Sequence, residues 1–266
     1  MKVFLSCDIE GTCGITDWAE ATKGTEDYYY FQKQMTKEVK AACEGATLGG
    51  AESIFVKDAH ATAKNIIHDE LPLNTTLMRG WGHDPLLMMS GLERERYEAV
   101  LFTGYHSNKT SDGNPLAHTL NHLKVNSITI NDIIASEFLI NCYTAGYYGV
   151  PVCFISGDKA ICEEAKKFIP EITTVPVFEG VGEATISLHP GVALQLIKEG
   201  AKKAVENSSK CKVQMPSEFD VSIKFIGQQA YKAGFYPGAS LEDEKIVRFK
   251  SSDYYEILCF LLFVLM

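Results

Sequence analysis

The chain has 266 residues, 46% of them hydrophobic, and a formal net charge of −9. That length admits one large α/β domain or two smaller ones, and the apolar share supports a sizeable core instead of wholesale disorder. The acidic balance argues against a nucleic-acid binder, which would present a basic patch.

Taken in chain order, an apolar run at Lys2–Cys7 reads as a buried strand, with no charged leader and cleavage site before it. Further strands are expected at 52–57, 99–103, 127–131 and 151–156, with helix-like spacing at 26–48, 132–148 and 158–168. Gly49 and Gly50 close the first long helix. Continuous apolar strands alternating with helices predict an α/β fold whose mainly parallel sheet is flanked by helices. Beyond about residue 172 strands are expected at 172–178, 218–225 and 245–250, a helix at 189–206 and a loop at 206–217. We expect residues 1–175 to form an α/β domain, the one in which the candidate site residues fall. Residues 176–266 would form a smaller α+β region contributing to oligomerisation or to the pocket. The run 257–266 is apolar but about half the length needed to cross a bilayer. It reads as a last buried helix, or one cut short. Eight scattered cysteines without a Cys-x-x-Cys pair, and the missing leader, predict a cytoplasmic protein.

Ligands in open α/β sheets gather outside the carboxyl ends of the strands. Strand one ends at Asp8 and Glu10, strand two in "KDAH" with Asp58 and His60, and strand three in "TGYH" with His106. The strand at 127–131 leads to Glu137, early on the next helix. Taken singly, each has a bland reading as a solvated loop, cap or surface residue; their joint placement favours a metal site. Asp8 and Glu10, two residues apart, would share a face and repel unless a cation compensates. Mixed Asp/Glu/His ligation suits zinc, and a carboxylate able to bridge fits two ions better than one. In "HTLNH", His118 and His122 would share a helical face if the segment is helical, but Thr119 stands where a zinc-protease signature needs Glu. "GVGEA" at 180–184 lacks the third glycine of a dinucleotide fingerprint.

The motifs "SCDIEGTCGI", "VKDAH", "FTGYHS", "LAHTL", "ITINDIIASE" and "AGYYGVPVCFISGD", in that order over residues 1 to 175, resemble the M55 family of peptidases. The resemblance implies a zinc aminopeptidase releasing N-terminal residues, D-amino acids among them, from short peptides. It implies a dinuclear zinc site on Asp8, Glu10, His60, His106 and Glu137, Asp8 bridging, and a catalytic histidine at His118. It also implies a ring-forming homo-decamer. "ITDWAEATKGTEDYYY" and the loop before His118 depart from the D-aminopeptidase pattern, and those segments would shape the substrate pocket. The rival readings are another dinuclear metallohydrolase, such as a phosphoesterase, and a non-catalytic oligomer stabilised by metal.

Overall fold

The structure, a computed structural model, describes residues 1–265. In chain order its first part runs β1 (Lys2–Cys7), α1 (Trp18–Ala21), α2 (Tyr28–Leu48), β2 (Ser53–Asp58), β3 (Thr75–Met78) and β4 (Ala99–Tyr105). Next come β5 (Val125–Ile130), β6 (Ile133–Ile134), α3 (Glu137–Tyr147), β7 (Val152–Asp158), α4 (Lys159–Phe168), β8 (Thr173–Val181) and β9 (Ala184–Ser187). The last elements are α5 (Pro190–Glu206), β10 (Phe219–Phe225), α6 (Gln229–Ala233), β11 (Ser240–Asp243), β12 (Ile246–Ser251) and α7 (Tyr254–Leu265).

Two sheets organise these elements. The first has the order β3-β2-β1-β4-β7-β8-β9, parallel throughout except for β9. Its central strands are buried on both faces, which is why β1, β4 and β7 read as mainly apolar runs without a regular polar alternation. The second sheet, β11-β12-β10-β5-β6, is antiparallel. Helix α3 lies between the two cores. Phe138 and Cys142 join the first core, and Leu139, Ile140 and Tyr143 the second. A helix apolar all round is one buried all round.

The expected strand at 127–131 exists as β5, but it belongs to the antiparallel sheet and not to the parallel one. "VNSITI" alternates buried and less buried positions, the pattern of a strand with one face on a core. The expected helix at 132–148 begins only at Glu137. Asn131 and Asp132 both take positive φ, 50° and 64°, and make a two-residue turn that pairs Ile130 with Ile133. The segment 118–122 is not helical, so His118 and His122 meet through a loop. "GVGEA" forms the β8–β9 hairpin turn around Gly182. The expected division after residue 175 falls within β8, which pairs with β7, while β5 and β6 join strands of the chain's last part. The two sheets interleave along the chain. The apolar C-terminal run forms α7, apart from Met266, which lies outside the described residues. Among the described residues no helix is long and apolar enough to cross a membrane.

Candidate metal centre

In the first sheet the chain winds from β1 outward to β2 and β3, then returns to add β4 on the other side of β1. The crevice beyond β1 and β4 is the topological switch point, where such sheets bind ligands. Asp8 and Glu10 follow β1, His60 follows β2 and His106 follows β4. Glu137 opens α3, and His118 arrives on the loop between β4 and β5. All six are at most 6% exposed.

Two glycines let the backbone close in. Asp8 N–H donates to Thr103 O (2.9 Å) and Gly11 N–H to Gly104 O (2.8 Å). Gly104 has φ +67°, and a Cβ there would sit 2.1 Å from Asp8 O; one on Gly11 would sit 1.9 Å from Tyr105 O. Only glycine fits either place.

The six side chains form two groups. Ligand atoms of Asp8, Glu10 and His60 lie within 4.8 Å of one another, as do those of His106, His118 and Glu137. Asp8 links the groups, with Oδ1 3.2 Å from His60 Nδ1 and Oδ2 3.6 Å from His106 Nε2. Glu137 Oε2 is 3.4 Å from His106 Nε2, and its Oε1 is 3.6 Å from His118 Nε2 and accepts Leu120 N–H at 2.7 Å.

Each imidazole is held from outside by a backbone carbonyl. His60 Nε2 donates to Ala21 O (2.7 Å), His106 Nδ1 to Ser107 O (3.0 Å) and His118 Nδ1 to Leu116 O (2.9 Å). A carbonyl only accepts, so those nitrogens carry hydrogen, and in the neutral ring the other nitrogen turns its lone pair inward. The inward nitrogens face carboxylate oxygens, an arrangement that repels unless a proton or a metal cation lies between. His60 Nδ1 stands 3.0 Å from Glu10 Oε2 as well as near Asp8, and cannot satisfy both. Glu10 Oε2, His106 Nε2 and Glu137 Oε2 are buried without a hydrogen-bond partner. Unpartnered buried donors of this kind, with the outer histidine nitrogens tied to carbonyls, fit zinc.

The electrostatics agree. Burial, followed by the Asp8 charge, pushes the Glu10 carboxyl up to about 7. Burial also opposes ionised Asp8, but the hydrogen bond and charge of His60, with His106, override it and hold Asp8 well below the usual carboxylate range. Burial disfavours charging His60 and His106, yet Glu10 and Asp8 around the first and Glu137 beside the second hold both imidazoles well above the ordinary value. Protons and a cation therefore compete for one set of atoms. His118 differs: burial, then the charge of His106, pushes it well below the ordinary histidine value.

The site opens into a cavity of about 530 Å³. Leu87, Met88, Leu120, Leu261 and Leu265 line its apolar side, so α7 contributes to the pocket. Trp18, also on the lining, stacks on His122 (4.0 Å, 22°) and meets His118 edge-on (5.3 Å).

The sequence profile of the M55 peptidases, described as D-aminopeptidase, matches residues 1–263. The chain belongs to the M55 peptidase family. The D-aminopeptidase of Bacillus subtilis (strain 168) is 30% identical to it over 260 residues, covering 96% of this chain and 93% of that protein. The solved structure of the Zn-dependent D-aminopeptidase DppA from Bacillus subtilis, described as a self-compartmentalizing protease, superposes with a TM-score of 0.92 at 29% identity. The match covers 100% of this chain and 97% of that one.

In this M55 member the six residues expected from the sequence converge, whereas Asp58 stays out of the centre. Its carboxylate accepts Asn65 N–H (2.5 Å), Ile66 N–H (2.9 Å) and Asn65 Nδ2 (2.8 Å), shaping the loop that carries His60. Three residues escaped the sequence reading. Asp158 caps α4 through Ile161 N–H (2.8 Å), receives Ser107 N–H (2.8 Å) beside His106, and receives Asn114 Nδ2 (3.2 Å). Asn114 also donates to Glu10 O at 2.8 Å, so Asp158 and Asn114 tie the loops of Glu10 and His106 together. Trp18 sits on the stretch that departs from the D-aminopeptidase pattern. The "GD" closing β7 was the available signal for Asp158, since β7 ends beside β4.

Proposed function

We propose that this M55 peptidase is a zinc-dependent aminopeptidase that releases N-terminal residues, D-amino acids among them, from short peptides. The observation that carries the reading is three inward imidazole nitrogens facing three buried carboxylates at the switch point. Asp8, Glu10 and His60 would hold one ion, and Asp8, His106 and Glu137 a second, with Asp8 shared. Bound zinc supplies Lewis acidity to the scissile carbonyl and lowers the pKa of water.

His118 is assigned to the chemistry and not to the ligand set. Its ring lies 4.3 Å from that of His106 at an interplanar angle of 10°. Lone pairs lie in the ring plane, so those of two stacked rings lie in separate, nearly parallel planes and do not meet on one ion at about 2.0–2.1 Å from each. With Nδ1–H bound to Leu116 O, the neutral ring offers Nε2 to take a proton and return it to the leaving amine. The apolar wall, including Leu261 and Leu265 from beyond residue 175, excludes water around the bound peptide. A phosphoesterase would want several cations at the pocket, and Lys23 is the one lysine among its lining residues.

The assembly we propose is a ring-forming homo-decamer, in keeping with the self-compartmentalizing relative; sedimentation at micromolar concentration should show a species far above the monomer. We place it in the cytoplasm, where its eight unpaired cysteines are at home. The deciding experiment assays peptides with D- and L-residues at the N-terminus, with a phosphoester control, alongside elemental analysis. Peptide turnover with close to two zinc equivalents per chain is expected. Phosphoester turnover alone, or a fixed single equivalent, would overturn the reading.

A further inference from the structure

We infer that Lys23 binds the free C-terminal carboxylate of the peptide substrate and so makes the enzyme selective for short peptides that end in a carboxylate. This rests on the aminopeptidase reading. Such a substrate carries two charges, an ammonium at the end to be cleaved and a carboxylate at the other. The side chains of the centre are acidic groups and imidazoles and its zinc ions would be engaged at the end to be cleaved, so a cation for the distant carboxylate comes from elsewhere on the cavity wall.

The lysines around the site differ in whether they are engaged. Lys57 is buried, donating to Asp58 O (2.9 Å) and Gly80 O (2.8 Å) with Trp81 against its ammonium. Lys109 reaches His122 O and Val125 O, both at 3.4 Å, and Lys124 donates to Leu265 O at 2.9 Å. Among the lysines of the described residues, Lys23 alone lines the cavity. It is exposed there, and among the described residues its ammonium makes a single, long hydrogen bond, to Lys64 O at 3.3 Å. Among the described residues it has no carboxylate partner, whereas Lys159 and Lys198 elsewhere do. At least two of its three N–H donors remain for a ligand.

Its backbone is held. Thr25 Oγ1 bonds both Ala19 O and Thr22 O (2.8 Å to the latter), closing a turn in which Gly24 takes φ +108°. The turn follows directly on Ala21, the last residue of α1, whose carbonyl holds His60 Nε2 at 2.7 Å and which lies two residues before Lys23. Two residues span at most about 7 Å, and an extended di- or tripeptide about 7–10 Å. The backbone of this turn therefore stands close enough to the centre for an ammonium on it to meet the far end of a short peptide anchored there.

The test uses the full-length zinc-loaded protein and pairs of di- and tripeptides that differ only in a C-terminal acid or amide. The parent should favour the acid by about 10- to 100-fold in kcat/KM, the scale of one charge-assisted hydrogen bond, and mostly through KM. In Lys23→Met the acid-to-amide ratio should collapse toward one, and in Lys23→Glu it should invert. Calorimetry with an uncleavable dipeptide isostere, acid against amide, reads the same preference without turnover, and metal content checks that the variants keep their centre. Hydrolysis with an unchanged acid-to-amide ratio in Lys23→Met overturns the clamp and leaves the aminopeptidase reading standing. Carboxylate-dependent binding of the isostere that Lys23→Met abolishes, with no peptide cleaved, supports the clamp and overturns the aminopeptidase reading.

Discussion

Among single residues, His106 and His118 make the sharpest comparison, because both are buried, both donate Nδ1–H to a carbonyl, and their rings touch. His106 faces two carboxylates, whereas His118 faces one. His118→Ala should keep its metal and lose about 10²–10⁴ in turnover, the usual worth of general acid–base help. His106→Ala should lose metal first and recover part of its activity in excess zinc. Equal metal loss in the two variants, read by elemental analysis, would make His118 a ligand. Glu38 tests burial itself. It holds Cys13 N–H (3.0 Å) and Gln34 Nε2 (3.1 Å) on one oxygen, and its other oxygen is unpartnered. Burial pushes its carboxyl up to about 7, against the favourable hydrogen bonds of Cys13 and Gln34. The folded state then binds this proton more tightly than the unfolded chain, so its contribution is full below about 4.5 and is lost as pH rises through about 7. Glu38→Gln should therefore gain on the parent by about 2–4 kcal/mol between pH 5 and pH 8 in denaturant unfolding. A difference between the two proteins that is flat across that range would refute the assignment. Asp8, Glu10, His60, His106 and Glu137 were legible in the sequence because each sits within a few residues of an element's end. Asp158, Asn114 and Trp18 were not, since they act across 44 residues or more of intervening chain or through a contact no local pattern encodes.

At the scale of elements, the strand ends of the parallel sheet were the readable part. Continuous apolar runs announce buried strands, and the switch-point rule then locates the site without knowledge of the side chains. What misled was the second sheet. The helix-like spacing of 132–148 concealed a turn at Asn131 and Asp132, whose residue types favour positive φ. That hairpin sets the point where α3 starts, and Ser136 caps it by accepting Leu139 N–H at 3.2 Å. Glu164, which accepts Ser136 Oγ at 2.5 Å, fixes the cap in turn. The close approach of β1 and β4 is equally demanding. Gly104→Ala would place a methyl group 2.1 Å from Asp8 O at a φ that L-residues avoid. Backbone strain and the clash together should cost about 3 kcal/mol or more. Chemical unfolding checks this, and a loss within about 0.5 kcal/mol, the range of an ordinary surface change, would mean that the two strand ends can part freely.

For the whole molecule, the centre joins pieces that the topology otherwise leaves to separate cores. Asp8, Glu10, His60 and His106 hang from the first sheet, whereas Glu137 opens the helix shared by both cores and His118 lies on the chain leading into the second sheet. Without a cation between them, the carboxylates and imidazoles hold together only through protons, and a metal bound to the folded state alone adds its binding free energy to stability. Chelation should therefore lower the melting temperature, and more so at higher pH. As pH rises through about 7, Glu10 gives up its competing proton, so zinc binds more tightly and its removal costs more. The loss should also be local. Amide exchange should quicken in the loops after β1, β2 and β4 and along the stretch from His106 to Glu137, while the interiors of β1, β4 and β7, buried on both faces, stay protected. Uniform quickening across both sheets would show that metal stabilises the fold as one unit. Unchanged exchange from 106 to 137 would show that the two groups of ligands stay together without it, and the stitching role would fall.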